Sequence, residues 1–132
     1  MVLADGHGLP ISVLIESATP HEVNLIEPLL AARQVRRLPQ HLLYDQAADS
    51  DLLRLRLKRR GIELITPHRK NRKKRPLQDG RRLRRYRRRY KIERSISWLQ
   101  NFRRLVTRYE RHAELFLGFV QLACLKIILK RF

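Results

Sequence analysis

Glu93 stands alone as an acid in the most basic stretch of the chain, Tyr86-Arg87-Arg88-Arg89-Tyr90-Lys91-Ile92-Glu93-Arg94. A carboxylate in such a setting can do one of two things. It can neutralise Arg89 or Arg94, an exposed pair worth well under about 1 kcal/mol. It can instead hold a divalent metal within a surface that grips phosphate, the arrangement by which phosphodiester bonds are cut. With helical periodicity Tyr86, Arg89 and Glu93 fall at i, i+3 and i+7 and project from one face. A second acid, Asp45, follows Leu42-Leu43-Tyr44, which reads as a short buried strand. Carboxylates at a strand end and on a packed helix can converge at the carboxyl edge of a sheet. There they can share metals that polarise phosphate and activate the attacking oxygen. For Asp45 the bland role is that of a strand-end turn residue, with Asp49, Ser50 or Asp51 capping the helix that follows.

The distribution of charge favours a polyanionic partner. Net charge is +18 over 132 residues, yet residues 1–50 hold three basic and six acidic side chains, and residues 51–132 hold 27 basic and six acidic. Residues 69–94 contain fifteen Lys or Arg against Asp79 and Glu93, a density that self-repels unless a polyanion or its counterions lie against it. Nucleic acid is the expected partner. The candidate contacts are Arg69, Lys70, Arg72, Lys73, Lys74, Arg75, Arg81, Arg82, Arg84, Arg85, Tyr86, Arg88 and Arg89. Tyr86, Tyr90 and Trp98 are candidates for stacking on unpaired bases; for Trp98, beside Ile96 and Leu99, a core position is the stronger reading.

The elements that must position these residues read as α/β. Val2 to Ala4 and Leu9 to Ile15 form a hairpin across Asp5-Gly6-His7-Gly8. Thr19-Pro20-His21-Glu22 has the form of a capping box opening a helix that keeps Val23, Ile26, Leu29 and Leu30 on one face and ends near Ala32. After the Leu42–Tyr44 strand, a helix bearing Leu52, Leu53, Leu55 and Leu57 stops at Gly61, and Ile62 to Ile65 returns as a strand. This is a βαβ unit with a parallel pair. Residues 68–80 are a polar, basic loop. A long basic helix is expected from about Arg81, docked through Ile92, Ile96 and Leu99, and a last helix from about Glu110 to Lys130 should be largely buried.

Composition narrows the remaining classes. The length suits one domain or part of one. Cys124 is the single cysteine and lies in an apolar run, so a disulfide or cysteine-zinc framework cannot be built and a reducing, cytoplasmic setting is expected. His7, His21, His41, His68 and His112 lack the short spacing of zinc ligands. Leu115 to Leu129 is interrupted by Gln121 and Lys126 and is shorter than the ~20 residues of a membrane span, so a core helix and no membrane are expected.

At the residues already named the chain resembles the bacterial insertion-sequence transposases with an RNase H-like DDE domain. The resemblance covers nearly the whole chain. It rests on Asp5-Gly6-His7-Gly8-Leu9-Pro10, Tyr44-Asp45-Gln46-Ala47-Ala48-Asp49-Ser50-Asp51, Arg60-Gly61-Ile62-Glu63 and the Tyr86 to Tyr109 segment. The signature Tyr-x2-Arg-x3-Glu is met by Tyr86, Arg89 and Glu93. In that family three acids hold Mg2+ or Mn2+ for DNA cleavage and strand transfer; Asp45 matches the second and Glu93 the third. The resemblance implies an RNase H-like mixed sheet with flanking helices. It further implies insertion-element ends and target DNA as substrates, a nucleoid-associated setting, and a homo-oligomer when complete. Two positions depart from the pattern: Ala48 stands where an aromatic is usual, and Gln100 where some relatives have a lysine. The strand bearing the first Asp has no counterpart before Val2, and Asp5 matches a later turn. The resemblance thus implies the C-terminal part of a catalytic domain spanning 1–132, with its first and central strand absent and little activity alone, and with an upstream transposase segment as a partner. The rival readings are a non-catalytic basic nucleic-acid-binding protein and a gene fragment without a folded product.

Overall fold

A computed structural model describes residues 1–78 and 80–131. Asp79, one of the two acids of the basic stretch, lies outside the described residues. The chain divides into two compact units, Met1–Arg36 with residues 90–131, and Arg37–Arg89.

In the first unit, strands β1 (Val2–Ala4) and β2 (Pro10–Val13) pair antiparallel, with Val2 opposite Val13. The intervening turn is built by Asp5, whose Oδ1 accepts the N–H groups of His7 and Leu9, both at 2.8 Å. Gly8 closes it at φ +84°, and a Cβ there would meet the Lys91 carbonyl at 3.1 Å. Helix α1 (Glu22–Ala31) buries Ile26, Leu29 and Leu30, and the Ser12 hydroxyl donates to the Leu29 carbonyl at 2.7 Å. The expected capping box does not form. The helix starts at Glu22, with His21 at the N-cap and no side-chain cap. Glu22 therefore meets the helix dipole from the first helical position rather than from the third.

Helices α4 (Tyr90–Gln100), α5 (Arg103–Val106) and α6 (Ala113–Leu129) complete the first unit. Its core joins Leu99, Val120, Ala123, Cys124 and Ile127, with Val2, Leu9, Val13, Trp98, Phe102 and Phe116 packed around them. Trp98 is thus an edge of the core, and its ring lies 5.0 Å below the Arg94 guanidinium and 3.9 Å from that of Arg131. Burial pushes the Cys124 thiol up to about 11, which leaves it protonated and unreactive at neutral pH. The last helix is not largely buried. Val120, Ala123, Cys124 and Ile127, at helical i, i+3, i+4 and i+7 spacing, meet the core, while Leu115, Leu122, Leu125 and Leu129 are exposed. No helix among the described residues is long and apolar enough to cross a membrane.

In the second unit, β3 (His41–Leu43) and β4 (Glu63–Ile65) pair parallel, with Leu42 opposite Leu64, and α2 (Asp51–Arg59) connects them and packs on β4. The expected βαβ unit is therefore present. Ser50, not Asp49 or Asp51, is the cap of α2; its hydroxyl accepts the Leu53 N–H at 3.4 Å. At the other end Gly61 takes φ +74°, its N–H reaching the Lys58 carbonyl at 3.0 Å, while the Ile62 N–H reaches that of Leu57 at 2.9 Å. This double closure needs a left-handed residue. Leu53 and Leu57 fill the helix's inner face, and Leu52 and Leu55 are exposed.

The long basic helix expected from Arg81 is broken into three pieces. A short helix α3 (Gly80–Leu83) is followed by a 3₁₀ turn over Arg85–Arg89, and α4 begins only at Tyr90. Arginines recur at three- and four-residue spacing throughout Arg81–Arg89, and like charges so placed each oppose an α-helix by about 0.2–0.5 kcal/mol. Within α4 the docked positions are Ser95 and Leu99, whereas Ile96 is exposed.

Asp49, expected only as a cap, is the centre of the second unit's polar structure. Its side chain is 1% exposed, and Oδ1 receives Arg54 at 3.0 Å, His68 Nδ1 at 3.0 Å and Arg72 at 3.4 Å. Oδ2 accepts the Arg69 N–H at 2.9 Å. Burial alone would raise its pKa, but the Arg69 N–H, Arg54 and His68 outweigh that and bring it down to about 2. A carboxyl so depressed stabilises the fold above its unfolded value of 3.8 and loses that contribution as pH falls toward 2.

Two predictions follow from these elements. Acid titration followed by circular dichroism should show about 2 kcal/mol of stability lost between pH 4 and 2, and Asp49→Asn should flatten that acid limb; an unchanged limb would count against the hub. Gly61→Ala and Gly8→Ala both force a left-handed alanine, at about 1 kcal/mol. Only Gly8 is also crowded, so urea unfolding should show it as the costlier change, and equal costs would contradict the packing.

Candidate nucleic-acid interface and acidic site

Asp45 occupies the position after β3 that its sequence context implies, but as the first residue of a turn. It caps a 3₁₀ turn over Gln46–Ala48, with Oδ1 accepting the Ala47 N–H at 2.8 Å. Its Oδ2 faces Arg89 at 3.7 Å, with side chains 35% and 40% exposed. Ala48, where an aromatic was expected from the resemblance, is completely buried.

The basic loop after β4 is bolted onto this turn. The Thr66 hydroxyl donates to the Asp45 carbonyl. Arg69 donates to the Gln46 carbonyl at 3.3 Å and the Ala47 carbonyl at 2.9 Å. Arg54 ties in the strand end, reaching the Leu64 carbonyl and Gln78 at 3.0 Å each and the Thr66 carbonyl at 3.2 Å. Arg72 grips Asp51 through both carboxylate oxygens at 2.9 and 3.1 Å.

Several of the candidate DNA contacts are bonded within the protein, and most are exposed. Arg69, Arg72, Arg82, Arg85 and Arg89 have protein partners: Arg82 pairs with Glu63, and Arg85 donates to His41 Nε2. Partial burial, with the charges of Arg85 and Arg82, holds His41 below its ordinary pKa. Lys70, Lys73, Lys74, Arg75, Arg81, Arg84 and Arg88 are exposed, and Tyr86 is half-buried. Arg87, not among the candidates, is exposed beside them.

Glu93 lies in the first unit, exposed in the first turn of α4, where its charge complements the helix dipole. Tyr86 and Arg89 lie in the 3₁₀ turn over Arg85–Arg89 and Glu93 in α4, so the three do not belong to one continuous α-helix. Three side chains of the α4 N-terminal turns fasten it to the hairpin: Lys91 donates to the Gly6 carbonyl, Arg94 to that of His7 at 2.9 Å, and Ser95 to that of Gly8.

A divalent metal of the kind the resemblance implies takes carboxylate oxygens, and the half-exposed Asp45 carboxylate is chemically suited as one ligand. Among the described residues, no group of three or more His, Cys, Asp and Glu side chains gathers to hold an ion. What sequence reasoning missed is the structural use of Asp49. Its signal was present as an acid followed by arginines at 54, 69 and 72, but the pairings at 69 and 72 span a whole βα connection and have no periodic signature.

Comparisons with known proteins identify the family. The family model for the transposase DDE domain matches residues 1–126. A putative transposase for insertion sequence element IS402 from Burkholderia cepacia is 32% identical over 131 residues, covering 93% of this chain. The chain spans 58% of that relative's length. No solved structure matches it significantly. On the family match and this identity together, the chain belongs to the DDE transposases of insertion sequences.

Proposed function

We propose that the chain contributes to DNA transposition, as the C-terminal part of an RNase H-like catalytic domain acting in metal-dependent cleavage at insertion-element ends and strand transfer to target DNA. The observation that carries this is the joint presence of Asp45 at the end of β3 and Tyr86, Arg89 and Glu93 in the family's spacing, inside a family match that spans both units. Asp45 and Glu93 would hold Mg2+ or Mn2+, which when bound polarises phosphate and lowers the pKa of an attacking oxygen. Arg89 orients the Asp45 carboxylate. Lys70, Lys73, Lys74, Arg75, Arg81, Arg84 and Arg88 bind phosphate, and Arg69, Arg72, Arg82 and Arg85 shape the surface that carries them. The partners are DNA, an upstream transposase segment and further copies of the chain.

A second reading is favoured by the lack of a three-ligand cluster among the described residues: a basic protein that binds nucleic acid without chemistry. The two separate on mutation. If six to ten phosphates are contacted, affinity measured by anisotropy should fall by roughly 10³ to 10⁵ between 50 and 200 mM salt; no salt slope would sink both. Asp45→Ala and Glu93→Ala should leave that slope intact while abolishing Mn2+ binding measured calorimetrically on the DNA complex. Indifference of Mn2+ binding to both changes would favour the non-catalytic reading. With two acids of the family's three, the 132-residue chain should nick supercoiled DNA poorly in Mg2+. Fusion to a strand ending in Asp should restore nicking, and Glu93→Gln should then remove it.

A further inference from the structure

The 66–75 loop is tied to the Asp45 turn at almost every acceptor the turn offers. The carbonyls of Asp45, Gln46 and Ala47 receive Thr66 and the two bonds from Arg69, and the Asp49 carboxylate receives the Arg69 N–H, His68 and Arg72. Arg72 also donates to the Lys74 and Arg75 carbonyls at 3.1 and 3.2 Å, which fixes the far end of the loop. The groups that bond back to the turn are thus Thr66, His68, Arg69 and Arg72, while Lys70, Lys73, Lys74 and Arg75 are exposed. A bare run of cations would be expected to swing freely, since like charges extend a loop. Here its backbone is held by groups already neutralised, and its remaining charges are presented on a fixed frame.

Resting on the function proposed above, we propose that Asp49 and Arg69 are positioning residues. They hold Lys70, Lys73, Lys74 and Arg75 in register with Asp45, so that a DNA backbone gripped by the loop is presented to that carboxylate.

The sign of one substitution separates this from simple electrostatics. Asp49→Asn makes the protein more positive, so charge alone would tighten DNA binding. Loss of a preordered frame would weaken it. Arg69→Lys keeps the charge but not the planar fork that spans two carbonyls. Anisotropy titrations of the full chain with a duplex should therefore show both variants binding about tenfold more weakly, with the salt slope unchanged. Lys70→Ala, Lys73→Ala and Lys74→Ala combined should instead lower the slope by about 2 to 3. Trypsin cleavage mapped by mass spectrometry should be faster within residues 69–75 in Asp49→Asn and Arg69→Lys than in the parent chain. Should Asp49→Asn fail to fold, Arg69→Lys, on an exposed side chain, carries the test. Parent-level affinity and loop cleavage in Arg69→Lys would overturn the proposal by itself. A parent chain without salt-dependent binding would sink the functional reading and this inference with it.

Discussion

The second unit depends on one buried anion. Asp49 is nearly inaccessible, and around it stand Arg54, His68 and Arg72, with the Arg54 side chain itself only 10% exposed. Taking a guanidinium out of water costs several kcal/mol unless a carboxylate and further acceptors meet it. Arg54 has the Asp49 carboxylate, the Leu64 and Thr66 carbonyls and Gln78. Remove the anion and the arginine is stranded in the same place with its charge. The strand end, the turn after Asp45 and the start of the basic loop all converge on this pair, so the local fold around the candidate acid is tied by a charge interaction as well as by the apolar strip beneath it.

A chain carrying +18 has to dispose of its cations, and it turns part of them onto its own acceptors and aromatic rings. Arginine's planar fork suits carbonyls, carboxylates and ring faces, whereas lysine's compact ammonium keeps its water. Arg69 and Arg72 accordingly turn to protein acceptors while Lys70, Lys73 and Lys74 are exposed. In the first unit aromatic rings receive cations of both types: Arg94 and Arg131 lie over Trp98, Arg104 over Phe119, Arg108 over Phe116 and Lys126 over Phe102. Stacking of this kind is worth about 0.5–1 kcal/mol at exposed sites, and it covers apolar surface that a helix as uniformly apolar as α6 would otherwise leave wet.

How legible this was in the residues depends on the range of each interaction. The hairpin, the parallel β3–β4 pair and the stop at Gly61 were readable because a turn, an alternation or a glycine states them locally. The basic helix was misread because apolar periodicity at Ile92, Ile96 and Leu99 was carried back through a run of arginines whose mutual repulsion works against the helix. Burial of α6 was overestimated for the opposite reason. Its apolar residues surround the axis, so periodicity could not say which face would meet the core. Asp49 and Ser95 were invisible because their partners lie far away in sequence, and a polar residue shows no sign of burial until the fold surrounds it.

The turn role of Asp45 occupies one carboxylate oxygen and leaves the other for the metal role proposed for it. The cap consumes Oδ1 through the Ala47 N–H, and Oδ2 faces Arg89 across 3.7 Å, with both side chains over a third exposed. A contact of that length in solvent is worth little, so it orients the carboxylate without tightly committing the second oxygen. The cap also fixes which way the group points, since an N-capping carboxylate that lost its N–H bond would cost about 1 kcal/mol. In the proposed role, a carboxylate anchored by one oxygen and loosely faced at the other would receive a cation at small reorganisation cost. The structural role of Asp45 is therefore no argument against the catalytic role proposed for it; it is the means by which a residue on a short turn can hold a constant direction.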